Sequence, residues 1–300
     1  MAVQVTESTH RFDKIDGEYL ANGFLMYPFY GREYMQKIPD FPLDSRDLLL
    51  ATYPRSGTTF TQRIISGLKH GSDAISTENF NLFAKFPHLD LNFDYYHSCN
   101  LNYSGYEIAI KQDVPRFIKT HVPLSIAPKS VHKRSKVLFV LRNPRDILVS
   151  LFNFHKGDST LNFKFDFDTY FDMFLEGCVM NGDWCQYNAE WLDFCNTNPN
   201  RTLVITYEKL LDDFETNVRR LAKFIEIEVT DKIIAQVKQE TNVETMKKTT
   251  LCPGIDNFVR KGVSGDWINH FSKEQCQKFD QWIEANKKKY PQALFDLVGE

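Results

Sequence analysis

The 300-residue chain has no excess of charge: 36 lysines and arginines face 39 acidic residues, for a net charge of -3. That excludes a global pull toward nucleic acid or an anionic membrane, so any anion site must be built locally. No stretch reaches the roughly 18 consecutive apolar residues of a membrane span. The opening MAVQVTESTHRFDKIDG lacks the apolar core of a signal peptide. The six cysteines, Cys99, Cys178, Cys185, Cys195, Cys252 and Cys276, never pair as C-x-x-C, which argues against a zinc cluster or a thioredoxin-type site. Scattered through apolar segments, they fit reduced, buried thiols, and a cytoplasmic location is the expectation. The sequons at Asn102 and Asn200 then carry no glycan. Linkers, internal repeats and low-complexity segments are also missing, so residues 1–300 read as a single domain.

What is present is a strand–loop–helix at Leu48 to Phe60, LLLATYPRSGTTF. The apolar run reads as a buried strand that breaks at Pro54. A short loop follows, Arg55-Ser56-Gly57-Thr58-Thr59, and then a helical pattern from Thr58 to Leu68. Backbone N–H groups at a helix N-terminus converge on an anion, Gly57 permits close approach, and hydroxyls plus a guanidinium add donors. The Walker pattern G-x-x-x-x-G-K-[ST] is absent, which disfavours ordinary ATPase or kinase chemistry. Taken alone, the stretch is also compatible with a plain capped turn.

The rest of the chain alternates strand-like and helix-like runs. An irregular aromatic region spans about Asn79 to Tyr106. Arg116 to His121 and Lys136 to Arg142 read as strands, with a helix from Pro144 through Asp146 to His155. Helical patterns fill Asp168 to Cys195 and Glu208 to Ile225, around a strand at Thr202 to Thr206. The C-terminal third is mostly helical apart from a loop from Cys252 to Asn269. The class is therefore α/β, a central and mainly parallel sheet flanked by helices. In such sheets the ligand lies beyond the carboxyl ends of the strands.

Four strand ends carry polar residues: Arg55 to Thr59, then Lys119 to His121, then Arg142 with Ser150 two turns into the next helix, then Tyr207. Any one of them has an ordinary structural explanation, but topology gathers all four on one rim. Cations there neutralise charge developing on a leaving group, and a histidine can accept a proton from an attacking hydroxyl. A second glycine-rich basic loop, FVRKGVSGDW, offers Arg260, Lys261 and Gly262 as another anion nest. Two separated anion loops point to a ligand with two anionic ends, such as a nucleotide phosphorylated at two positions. No acidic metal-binding pair accompanies them. Asp146 is nearest and is expected to cap or pair within its own helix, so no metal is predicted.

Over nearly its whole length the chain resembles the animal-type cytosolic sulfotransferases. TYPRSGTTF resembles their 5′-phosphosulfate loop, usually TYPKSGTTW. KTHVP resembles the segment KTHLP that holds the catalytic histidine, and RNPRDILVS resembles the 3′-phosphate strand and helix. RKGVSGDWINHFS resembles the C-terminal cofactor loop. The resemblance implies a P-loop-like sulfotransferase fold and the donor 3′-phosphoadenosine 5′-phosphosulfate (PAPS), with PAP as product. It implies His121 as general base, and Lys119 and Arg55 as cations at the sulfuryl group. Arg55, Ser56, Gly57, Thr58 and Thr59 would wrap the 5′-phosphosulfate. Arg142, Ser150, Arg260, Lys261 and Gly262 would hold the 3′-phosphate, with Phe60, Tyr207 and Thr241 at the adenosine.

Three departures stand out. The family's loop lysine is Arg55, which keeps the charge but differs in reach and proton chemistry. Its adenine-stacking Trp and the facing Phe are Phe60 and Val243. Its dimer motif is replaced by Ile268, Ser272, Lys273 and Gln277, so a monomer or weak dimer is expected. The acceptor is a small hydroxylated molecule in an apolar pocket, a phenol, steroid, retinoid-like or other alcohol. Phe24, Phe29, His88 and Phe154 are its candidate contacts, alongside the aromatic stretch Phe80 to Phe93. Two alternatives stay open: a dehydratase that sulfates an alcohol and then eliminates, and a non-catalytic PAPS-binding relative.

Overall fold

The computed structural model describes residues 2–71, 81–92, 94, 102–248 and 259–300. Cys99, Cys252, Phe80, Phe93 and the opening of the loop from Cys252 lie outside the described residues. Four strands, β4 (Leu48–Thr52), β5 (Phe117–Thr120), β6 (Lys136–Leu141) and β7 (Thr202–Thr206), form a parallel sheet in the order β5-β4-β6-β7. Leu49 pairs in register with Ile118 on one side and Val137 on the other. Continuous apolar runs form these strands because both faces of the sheet are covered. Alternate residues serve the two faces. Leu49, Ala51, Val137 and Phe139 join one core, whereas Leu48, Leu50, Leu138 and Val140 join the other.

Each strand of the site delivers its polar residues at or just past its carboxyl end. β4 runs into the Arg55–Gly57 loop and the Thr58–His70 helix, and β6 runs through Arg142 into the Pro144–Gly157 helix. In that second helix Asn143 caps the start by accepting from the Arg145 N–H, and Pro144 occupies the first turn. The α/β layout expected from the sequence is what is found.

Three local differences have plain causes. The helical stretch expected from Asp168 to Cys195 is two helices, Phe167–Leu175 and Trp184–Thr197. Gly177, Asn181 and Gly182, all at positive φ, break it. The stretch from Glu208 to Ile225 splits at Asp213, whose carboxylate caps the second half by accepting from the Thr216 N–H. A small antiparallel sheet of β1 (Val5–Glu7), β2 (Tyr19–Ala21) and β3 (Phe24–Met26) was not anticipated. Its signal is the dipeptide Asn22-Gly23, both residues at positive φ, which makes a two-residue hairpin turn.

Candidate active site

Beyond the carboxyl ends of β4, β5 and β6 lies a cleft of about 370 Å³, within the usual range of ligand sites. Its walls combine residues from all four strand ends with the C-terminal loop. Arg55, Gly57, Thr58, Thr59, Phe60, Lys119, His121, Arg142, Ser150, Tyr207, Thr241, Arg260, Lys261 and Gly262 line it, together with Phe29, His88 and Phe154. Phe24 does not. It is buried in β3, where its ring packs against Gly182 in the core. Ser56 sits beneath the loop, fully buried.

The loop after β4 is held in an unusual conformation. Arg55 has φ +68°, in the left-handed region that non-glycine residues seldom occupy. Gly57 follows at φ +90°, where a Cβ would come within 2.4 Å of the Tyr207 ring, so only glycine fits. Arg142 clamps the loop from the neighbouring strand end. One of its terminal nitrogens donates to the Arg55 carbonyl at 2.9 Å and the other to the Val263 carbonyl at 3.1 Å, while its guanidinium covers the Tyr207 ring. The loop after β4 and the C-terminal loop are thus tied to one side chain. Arg55 itself donates from Nε to Ser150 Oγ at 3.0 Å, and its guanidinium lies 4.9 Å from the Phe154 ring centre. Ser150 and Phe154, four residues apart, share one face of their helix.

At the β5 end, His121 is fixed at three points. Its Nδ1 donates to the Thr52 carbonyl at 2.8 Å, its backbone N–H donates to Asp90 Oδ2 at 3.0 Å, and its carbonyl accepts from Asn181 Nδ2 at 2.6 Å. The Nδ1 bond assigns the tautomer and makes Nε2 the basic nitrogen. Burial first, then the neighbouring His88 and Lys119, hold His121 well below the usual histidine range, against the pull of Asp90. It is therefore neutral at physiological pH, the form a base requires. Lys119 is buried beside it, with its ammonium over the Phe83 ring.

The C-terminal loop departs from expectation in two ways. Asp146 does not act within its own helix. Its carboxylate accepts from the backbone N–H groups of Gly265 at 2.6 Å and Trp267 at 3.1 Å, fastening the loop to the Pro144–Gly157 helix. Arg260 and Lys261 both meet Asp266, at 2.7 and 2.6 Å, so a carboxylate already balances the anion nest. These cations and its other hydrogen bonds hold Asp266 well below the usual carboxylate range, overcoming its burial. Gly262, at φ +66°, abuts Val243 so closely that a Cβ would overlap its side chain.

The end of the cleft beside Phe60 is apolar. Phe60 meets Tyr207 edge-on at 6.1 Å and tilts toward Phe214 at 6.2 Å. Val243, Met246 and Leu211 complete that wall. The sequence offered no motif for Phe214 or Met246, nor for Asp90 behind His121.

Two features fit this cleft to a doubly anionic nucleotide. Buried Ser56 Oγ and Arg142 Nε have no hydrogen-bond partner among the described residues, and buried donors without partners are costly unless a ligand completes them. Gly57 and Gly262 keep the two anion loops free of side chain where the walls close. Among the described residues no cluster of His, Cys, Asp or Glu could hold a metal ion, and no helix is long and apolar enough to cross a membrane.

Comparison with known proteins agrees with the geometry. The chain is 29% identical over 263 residues to Sulfotransferase 1A1 of the dog, Canis lupus familiaris, covering 84% of this chain and 86% of that one. It is 29% identical over 285 residues to Sulfotransferase 2A6 of the rat, Rattus norvegicus, covering 90% and 95%. The crystal structure of retinol dehydratase in a complex with retinol and PAP superimposes with a TM-score of 0.78 at 23% identity, over 91% of each chain, and shares the fold. The Sulfotransferase domain family matches residues 45–291, and the chain belongs to that family.

Proposed function

We propose that this sulfotransferase moves the sulfuryl group of PAPS to a hydroxyl of a small, largely apolar acceptor, releasing a sulfate ester and PAP. The observation that carries this reading is the convergence of neutral His121, Lys119 and Arg55 on one cleft. That cleft is polar and cationic toward the two anion loops and aromatic elsewhere. PAPS supplies an activated sulfuryl group on a phosphate leaving group. Ser56, Gly57, Thr58 and Thr59 hold the 5′ end, while Arg142, Ser150, Arg260, Lys261 and Gly262 hold the 3′-phosphate. Phe60, Tyr207 and Thr241 receive the adenosine. His121 Nε2 takes the acceptor's proton as its oxygen attacks, and Lys119 and Arg55 neutralise charge on the transferring group and the leaving phosphate. Phe29, His88 and Phe154 face the acceptor.

The test is direct: purified protein, PAPS, and a panel of phenols, steroids and alcohols, with products identified by mass spectrometry. Ester and PAP in equal amounts support the reading. An alkene in place of the ester would mark sulfation followed by elimination. No PAP with any acceptor would leave only a binding protein.

Two further expectations follow. Phe60→Ala weakens PAP binding roughly tenfold, the scale of one lost base–aromatic stack. Calorimetry showing an unchanged dissociation constant would remove Phe60 from the adenine site. The protein is a monomer or weak dimer. Ile268 and Gln277 stand where the family's dimer motif carries its Lys and Glu, so neither charge of that motif is present, and Ile268 is exposed. Light scattering at micromolar concentration checks this, and a stable dimer would overturn it.

A further inference from the structure

The group behind the base belongs to no motif of the sequence. Asp90 is fully buried. Its Oδ1 accepts from Thr120 Oγ1 at 2.8 Å. Its Oδ2 accepts from the His121 backbone N–H at 3.0 Å and meets His88 Nε2 at 2.9 Å. A buried carboxylate is tolerated only when its oxygens are satisfied, and these donors satisfy it. All of them belong to the residues that build the base's surroundings. Thr120 and His121 are consecutive at the end of β5, and the His88 ring stands edge-on to the His121 ring with centres 4.5 Å apart. His88 also pairs along the backbone with Lys119.

The charged and titratable groups around His121 are thus few. Lys119 and His88 stand beside it. Tyr187 donates its hydroxyl to the same Thr52 carbonyl that receives His121 Nδ1, and Asp90 lies behind. Lys119 opposes a positive imidazole and burial does too, because a buried cation loses its hydration. Asp90 is the carboxylate among these described groups; burial raises its affinity for a proton, while His121 and the hydrogen bonds from Thr120 and the His121 N–H pull toward the anion. In the proposed reaction the acceptor O–H bond breaks, its proton goes to His121 Nε2, the oxygen bonds to sulfur, and the sulfur–oxygen bond to the leaving phosphate breaks. The imidazole becomes a cation in a site that resists one.

We propose that Asp90 is a positioning residue for the transfer, holding His121 in place and supplying the negative charge that opposes the imidazolium formed as His121 takes the acceptor's proton. The inference rests on the sulfotransferase reading above. It also explains why a histidine occupies position 88: its Nε2–H keeps the carboxylate satisfied so close to the base.

The test compares two acceptors that differ in their need for a base. Benzyl alcohol must lose its proton during the reaction. The p-nitrophenolate ion, in mildly alkaline buffer, has already lost it. Asp90→Asn keeps the side chain's size and one acceptor oxygen but removes the charge. With benzyl alcohol, kcat is expected to fall about 10–100-fold, part of the full contribution of a general base. With p-nitrophenolate it should fall less than about threefold, since no proton goes to His121. PAP affinity should be unchanged in both. Thr120→Val, which removes one donor to Asp90, should give a smaller loss of the same selectivity and serves if Asp90→Asn does not fold. Asp90→Glu, retaining the charge, should recover part of the alcohol activity. Equal losses with both acceptors would make Asp90 a purely structural group and overturn the inference while leaving the function intact. No ester from the unaltered protein with either acceptor would overturn the function, and this inference with it.

Discussion

His121→Ala lowers kcat for an alcohol acceptor by about 10²–10⁴-fold, the usual worth of a positioned general base, and leaves PAP binding unchanged. The size of the effect follows from how completely the ring is committed. Nδ1 is held by the Thr52 carbonyl and the backbone is held by Asp90 and Asn181, so one nitrogen remains for chemistry. The separation from binding follows from placement, because the anion loops are built from β4, β6 and the C-terminal loop. Folding should survive, since the Thr52 carbonyl keeps a second donor in the Tyr187 hydroxyl at 2.9 Å.

The pH dependence has a definite sign. Burial, His88 and Lys119 lower the affinity of His121 for a proton relative to the usual value of 6.5. The base form therefore persists above and through that pH, and kcat/KM falls only on further acidification. Single-turnover measurements of PAP release over a pH series, for wild type and variant, check both statements. An acid limb at or above the usual histidine value would mean the imidazole is not a desolvated base. A variant with unchanged kcat would remove His121 from the chemistry.

The parts of this site that were legible in the sequence are those carried by contiguous residues. TYPRSGTTF and RNPRD each place a strand end, a turn and the start of the next helix in one short stretch, KTHVP places a strand end and the residue just past it, and parallel topology does the rest. What was not legible depends on contacts between distant segments. Asp90 closes the plain stretch FPHLD and acquires meaning only when β5 brings Thr120 and His121 beside it. Asp146 looked like a residue of its own helix because helix-start acids usually are. Only the return of the chain at Gly265 and Trp267 shows where its carboxylate goes. Phe24 failed as an acceptor contact for a related reason. Aromatic composition cannot separate a pocket wall from a core, and the Asn22-Gly23 turn directs this ring into the core. The hairpin itself is readable from that dipeptide, and the two interrupted helices from their glycines and Asp213.

Arg55→Met lowers kcat by about 10²–10³-fold, the cost of removing one preorganised donor at a developing charge, whereas Arg55→Lys retains activity within roughly tenfold of wild type because the charge remains. Both substitutions keep an unbranched side chain at a position with φ +68°. The backbone strain is common to both, and the comparison isolates the charge. Glycine would be a poorer test, because it would relax the loop as well as remove the cation. The geometry sets a second difference between the two cations. Arg55 Nε donates to Ser150 Oγ while the planar guanidinium lies over Phe154. The fork can keep the serine and still present its terminal nitrogens to an anion, which an ammonium, as a single point of charge, cannot do. Ser150→Ala should therefore cost this protein less than Arg55→Met, since Phe154 and the loop still direct the guanidinium. Steady-state kinetics with PAPS varied at saturating acceptor, alongside PAP binding, separate the outcomes. A loss confined to KM in Arg55→Met would make Arg55 a binding cation only. A lysine variant as slow as the methionine would mean that the planar fork, not the charge, is what the leaving group requires.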